Sequence, residues 1–113
     1  MTKDTIETAP KLPKLFRRKW VKALRSGEFQ QGKHGLKINE TYCCLGVAAK
    51  ICGANDKSLN RNVWLQDYMV PPRAFEALQS YDRDGISREQ FLAARNDSGW
   101  SFKRIASWIE RYL

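Results

Sequence analysis

The chain has 113 residues, 20 Lys and Arg against 12 Asp and Glu, a net charge of +8 and 42% hydrophobic residues. At this length roughly two-thirds of the surface can be buried around one core without disulfide staples, and a second domain is excluded. No apolar run of about 18 residues is present, the first ten residues lack the apolar stretch of a secretion signal, and the three cysteines, two of them adjacent (Cys43, Cys44, Cys52), suit reduced thiols. Composition therefore predicts a cytoplasmic protein with no membrane association.

Residues 1–10 read as a disordered tail, and 11–113 as a single globular domain. The charge is lopsided: residues 1–37 carry +7 and the remaining 76 only +1. Within 11–26 seven residues are basic and none acidic. That stretch predicts a helix, with Pro13 in its first turn and Gly27 as its left-handed cap. Leu12, Phe16, Trp20, Ala23 and Leu24 share one side at helical spacing, and Lys11, Lys14, Arg18, Lys22 and Arg25 the other. The wet face is thus cationic, which suits either solvation or an anion-seeking surface.

After the polar stretch Glu28 to Gly35, Leu36 to Ile38, a turn at Asn39 and Glu40, and Tyr42 predict a small hairpin. Small apolar residues from Cys43 or Cys44 to Cys52, ending at Gly53, predict a buried helix at the centre of the core. Residues 54–70 read as a long ordered loop. Pro71 and Pro72 introduce a short helix through Gln79, and Asp82 to Gly85 is a turn. Ser87 with Gln90 forms a capping box that opens a helix through about Arg95. The turn Asn96 to Gly99 leads to a last helix from Ser101, with Phe102, Ile105, Ala106, Ile109 and Leu113 on one face. The expected class is α+β: a mainly helical small domain of four to five helices with a short β-hairpin.

Several motifs are incomplete. Gly27 to Lys33 follows the spacing of a phosphate-binding loop, but His34 replaces the magnesium-holding Ser or Thr, and the segment follows a helix rather than a strand. Gly32-Lys-His-Gly35 is too short a pattern to stand for an RNA clamp. His34 and the three cysteines lack the paired spacing of a zinc site, so no metal and no cofactor is expected. Ser80 to Ser87 lacks the acids of a calcium loop. The segment from Gly99 to Ile109 has the character of the first half of a helix-turn-helix, with no recognition helix after it. No paired acid and base stands beside a nucleophile, so the chain reads as a non-enzyme.

Three blocks carry a resemblance: Trp20-Val-Lys-Ala-Leu-Arg-Ser-Gly-Glu-Phe-Gln-Gln-Gly32, Tyr42-Cys-Cys-Leu-Gly-Val47, and Asn96-Asp97, Gly99, Ser101-Phe102, Ile105-Ala106 and Ile109. In these the chain resembles a group of small proteins common in bacteriophages and prophages. The resemblance implies an accessory protein in the host cytoplasm that acts by binding, through inhibition of a host defence factor or capture of an anionic nucleotide. Arg18, Lys22, Arg25, Ser26, Gln31, Lys33 and Tyr42 are the candidate ligand-binding residues, with Phe29 and Tyr42 available to stack. The expected partner is a host protein or an anionic nucleotide ligand. The alternatives are a nucleic-acid-binding module and, more remotely, a small enzyme. Four tryptophans leave room for a homodimer, and Trp100, placed in a turn, is expected to be the partly exposed one.

Overall fold

A computed structural model describes residues 11–59, 72–80 and 84–113. Its class is α+β, with six helices and one small sheet among the described residues. Helix α1 (Lys14–Ser26) buries Phe16, Trp20, Val21 and Leu24, starts after the extended Pro13 and stops at Gly27, whose φ of 79° only glycine adopts readily. Ser26 closes the same end. Its hydroxyl donates to the Ala23 carbonyl and accepts the Glu28 N–H.

Three two-residue strands follow: β1 (Gln30–Gln31), β2 (Lys37–Ile38) and β3 (Thr41–Tyr42). β3 lies in the middle, antiparallel to β2 through the expected hairpin and parallel to β1. The Lys37 ammonium donates to the Asn39 carbonyl in the turn. β1 is an addition to the sequence reading, which left Glu28 to Gly35 without structure.

Helix α2 (Cys44–Ile51) is the core's centre, with Cys44 through Ala49 all buried. Its residues are small because neighbours press close on every side. The Trp20 indole donates to the Cys44 carbonyl at 2.9 Å, which fixes α1 against α2. A short helix α3 (Asp56–Leu59) occupies part of the expected loop, and residues 60–70 of that loop lie outside the described residues, as does the predicted tail.

Helix α4 (Pro72–Gln79) precedes α5 (Arg88–Asp97), which opens with the expected capping box. Ser87 accepts the Gln90 N–H, and the Gln90 side chain accepts the Ser87 N–H. The predicted Asp82–Gly85 turn lies only partly within the described residues, where Gly85 has a φ of 75°. Helix α6 (Phe102–Tyr112), capped by Ser101, lays Phe102, Ile105, Ala106 and Ile109 on the core. It packs along α1, while α2 packs on both α1 and α5. The Leu12 N–H donates to the Leu113 carbonyl at 3.0 Å, tying the approach to α1 to the end of α6. No helix among the described residues is long and apolar enough to cross a membrane.

Candidate anion-binding groove

The core stripe of α1 turns the opposite face of that helix toward solvent beside α6. There Lys14, Arg17, Arg18, Lys22 and Arg25 line a groove of about 530 Å³ with Val21 and, from α6, Glu110. Helical spacing alone brings the cations together, because residues three and four apart stand above one another. From Lys14 to Arg25 the strip runs about 16 Å, at roughly 1.5 Å per residue.

One cation is committed to the far wall. The Arg25 guanidinium donates to Glu110 Oε1 at 2.7 Å and to Ser107 Oγ at 3.2 Å. The Arg25 hydrogen bond, reinforced by the charges of Arg25 and Arg17, holds the Glu110 carboxyl below the usual carboxylate range. The other four cations have no carboxylate within ion-pair distance among the described residues. Five positive charges thus face one negative charge, and no aromatic ring lines the groove. The groove presents positive charge and no flat ring.

The structure divides the candidate residues of the sequence. It brings Arg18, Lys22 and Arg25 into this groove, and leaves Lys33 exposed on the loop between β1 and β2. Ser26 spends its hydroxyl on the end of α1. Gln31 points inward: its Nε2 donates to Asn96 Oδ1 at 2.9 Å and to the Trp100 carbonyl at 2.7 Å, and its Oε1 accepts the Phe102 N–H at 3.0 Å. Gln31 therefore caps α6 from the sheet, and its amide is saturated by the protein itself.

Tyr42 is likewise engaged. Its hydroxyl donates to Asp56 Oδ1 at 3.1 Å, and its ring meets Phe29 edge-on with centroids 5.3 Å apart. Burial, then the Asp56 hydrogen bond, pushes the phenol above its ordinary value. Phe29 and Tyr42 thus pack on one another, where the sequence reading held them free to stack on a ligand. Gln31 and Tyr42 are register partners in the sheet, and neither lines the groove that holds Arg25.

The residue that sequence reasoning missed is Asn96. It is fully buried, with Oδ1 accepting from Gln31 and from the Cys44 N–H at 3.2 Å, and Nδ2 donating to the Gly32 carbonyl at 2.7 Å. All three motif blocks meet here, so they describe an internal polar clip. Arg17 and Glu110 were also missed. Arg17 was legible, since it stands three residues from Lys14 and four from Val21, whereas Glu110 reaches the groove from 85 residues away from Arg25.

Cys43 and Cys44 are buried, Cys52 is half-buried, and the His34 ring stands beside a carboxylate, Nδ1 3.4 Å from Asp97 Oδ2. Burial raises Cys43 to about 11 and Cys44 well above its ordinary value, so neither is a thiolate near neutrality. His34 is exposed at a φ of 67°, where its N–H donates to Asp97 Oδ1 at 2.9 Å. Among the described residues, no three His, Cys, Asp or Glu side chains gather as metal ligands would.

Residues 13–84 match a family described as a domain of unknown function (DUF8296). The chain belongs to that family. No curated protein and no solved structure matches it. The matched region contains α1 and the whole cationic wall of the groove, whereas Asn96, α6 and Glu110 fall outside it.

Proposed function

We propose that this chain is a small phage accessory protein that acts by non-covalent binding in the host cytoplasm. It holds a phosphate-bearing ligand along α1 and so modulates or inhibits a host defence factor. The observation that carries this reading is the groove itself: five cations of one helix on a single face, four of them without a carboxylate partner among the described residues. Phosphate is the biological anion that such a strip of charge fits, through direct pairing and release of counterions. The phage setting rests on the three sequence blocks. Binding rather than catalysis is supported by the buried Cys43 and Cys44 thiols and by a groove lined mainly by cations.

The length of the strip favours a second reading as a nucleic-acid-binding module, because about 16 Å of cationic helix can contact several successive phosphates. Both readings place the ligand on α1. The test is calorimetric titration with inorganic polyphosphate, comparing the wild type with Arg18→Glu/Lys22→Glu. Both residues are exposed, so the fold is retained. The reversed variant should bind at least about thirtyfold more weakly, and wild-type affinity should fall steeply with added salt. Equal affinities would remove the groove from the mechanism.

A further inference from the structure

The flank of α6 turned away from α1 carries a second feature. On α6, Ser107 and Glu110 meet Arg25, Arg104 and Arg111 stand three and four residues from Ser107 on the solvent side, and Trp108 lies on the flank where α5 packs, with Tyr112 four residues on. There Trp108 stacks on Phe91 of α5 with centroids 4.7 Å apart and planes 26° from parallel. Tyr112 lies beyond it, 5.2 Å from Trp108 with the planes tilted by 41°, and is 46% exposed. On the other side Trp100 meets Phe91 edge-on at 6.1 Å.

Arginines cover these rings. The Arg104 guanidinium lies 4.0 Å from the centre of Trp100, Arg111 stands 5.4 Å from that of Tyr112, and Arg95 is 5.2 Å from Phe91 and 5.8 Å from Trp100. Among the described residues no carboxylate pairs with any of the three. Arg104 and Arg111 are themselves exposed and Tyr112 is 46% exposed, so the outer side of this set meets solvent. Exposed planar groups of this kind stack on another flat, electron-rich ring.

We infer that this arginine–aromatic ladder is a base-stacking platform, and that the ligand of this protein is a single-stranded nucleic acid. The inference rests on the proposed function, because the α1 groove supplies the phosphate contacts and α6 carries both surfaces. The two features divide the recognition of one polymer. The groove has charge without rings, and the ladder has rings with charge of the same sign. A duplex hides the faces of its bases in its own stack, whereas a single strand presents them. An acidic protein surface would satisfy the arginine charges but would leave their exposed planes and the Tyr112 ring without a flat partner.

The test uses the full chain, a labelled oligothymidylate of about 12 nucleotides, an abasic oligomer of the same length, and inorganic polyphosphate. The variant is Arg104→Lys/Tyr112→Leu, which keeps the charge and the apolar bulk and removes two planar groups at exposed positions. The wild type should prefer oligothymidylate to the abasic oligomer by at least about tenfold, and the variant should lose that preference while binding polyphosphate as before. Tryptophan fluorescence should be quenched by oligothymidylate and unaffected by polyphosphate. A wild type that binds the abasic oligomer as tightly as oligothymidylate, or a variant with unchanged preference, overturns the platform and leaves the groove reading standing. A wild type that binds polyphosphate and both oligomers no better than the charge-reversed groove variant overturns both.

Discussion

Replacing Asn96 with leucine should lower the unfolding free energy by about 4 kcal/mol, a large share of what a domain of this size possesses. Leucine fills the same space, so the cost is one of orphaned polar groups rather than of a cavity. The Cys44 N–H, the first donor of α2, loses Asn96 Oδ1, and the Gly32 carbonyl loses Asn96 Nδ2. Each buried group left without a partner costs about 1–3 kcal/mol. Gln31 keeps the Trp100 carbonyl but loses its second acceptor. Urea unfolding checks this, and a loss below about 1 kcal/mol would show that the clip contributes little.

Gly46→Ala should cost about 3 kcal/mol or more, although alanine is the better helix former by about 1 kcal/mol. A Cβ at Gly46 would stand 1.8 Å from the Leu36 carbonyl oxygen and 2.7 Å from its carbon. These are backbone atoms, which cannot swing aside. Either α2 moves out of the core or β2 is pushed off it, and the hydrogen bond from the Cys43 N–H to Leu36 is lost in both cases. Thermal unfolding should show a fall of more than 10 °C, on the order expected for such a loss in a domain of about 100 residues. An unchanged or raised midpoint would mean that the close approach does not govern the fold.

Both substitutions fall in the blocks that carry the resemblance to phage proteins, and the structure explains why those blocks look as they do. Gln31 and Gly32 from the first, Cys44 and Gly46 from the second, and Asn96 with Phe102 from the third form one contact network. Their residue types answer to hydrogen-bond geometry and close approach. The first block also carries Lys22 and Arg25 of the groove, on the outer face of α1.

The parts of the fold that sequence made legible are those decided locally. Gly27 ends α1, and Ser87 with Gln90 opens α5, because a cap involves residues within four positions of each other. The apolar stripes of α1 and α6 were equally readable. β1 was not, since two glutamines become a strand only by pairing with Thr41 and Tyr42. Gln31 looked like a surface ligand residue because nothing near it in the chain announces Asn96, which lies 65 positions on. Trp108 was read as buried, yet it is only half-buried, since it stacks on Phe91 rather than entering the core. For the groove, the cationic wall was visible from helical spacing, whereas Glu110 depends on the packing of α6 against α1.

The most direct test of the central claim is where the ligand binds. Amide chemical shifts of isotopically labelled protein, followed during titration with inorganic polyphosphate, map the contact residue by residue. The expected result is movement from Lys14 through Arg25 and around Glu110, with the amides of Gln31 and Tyr42 unmoved. Shifts centred on Gln31 through Tyr42, or no shifts at ligand excess, would contradict the assignment of the α1 groove as the binding site.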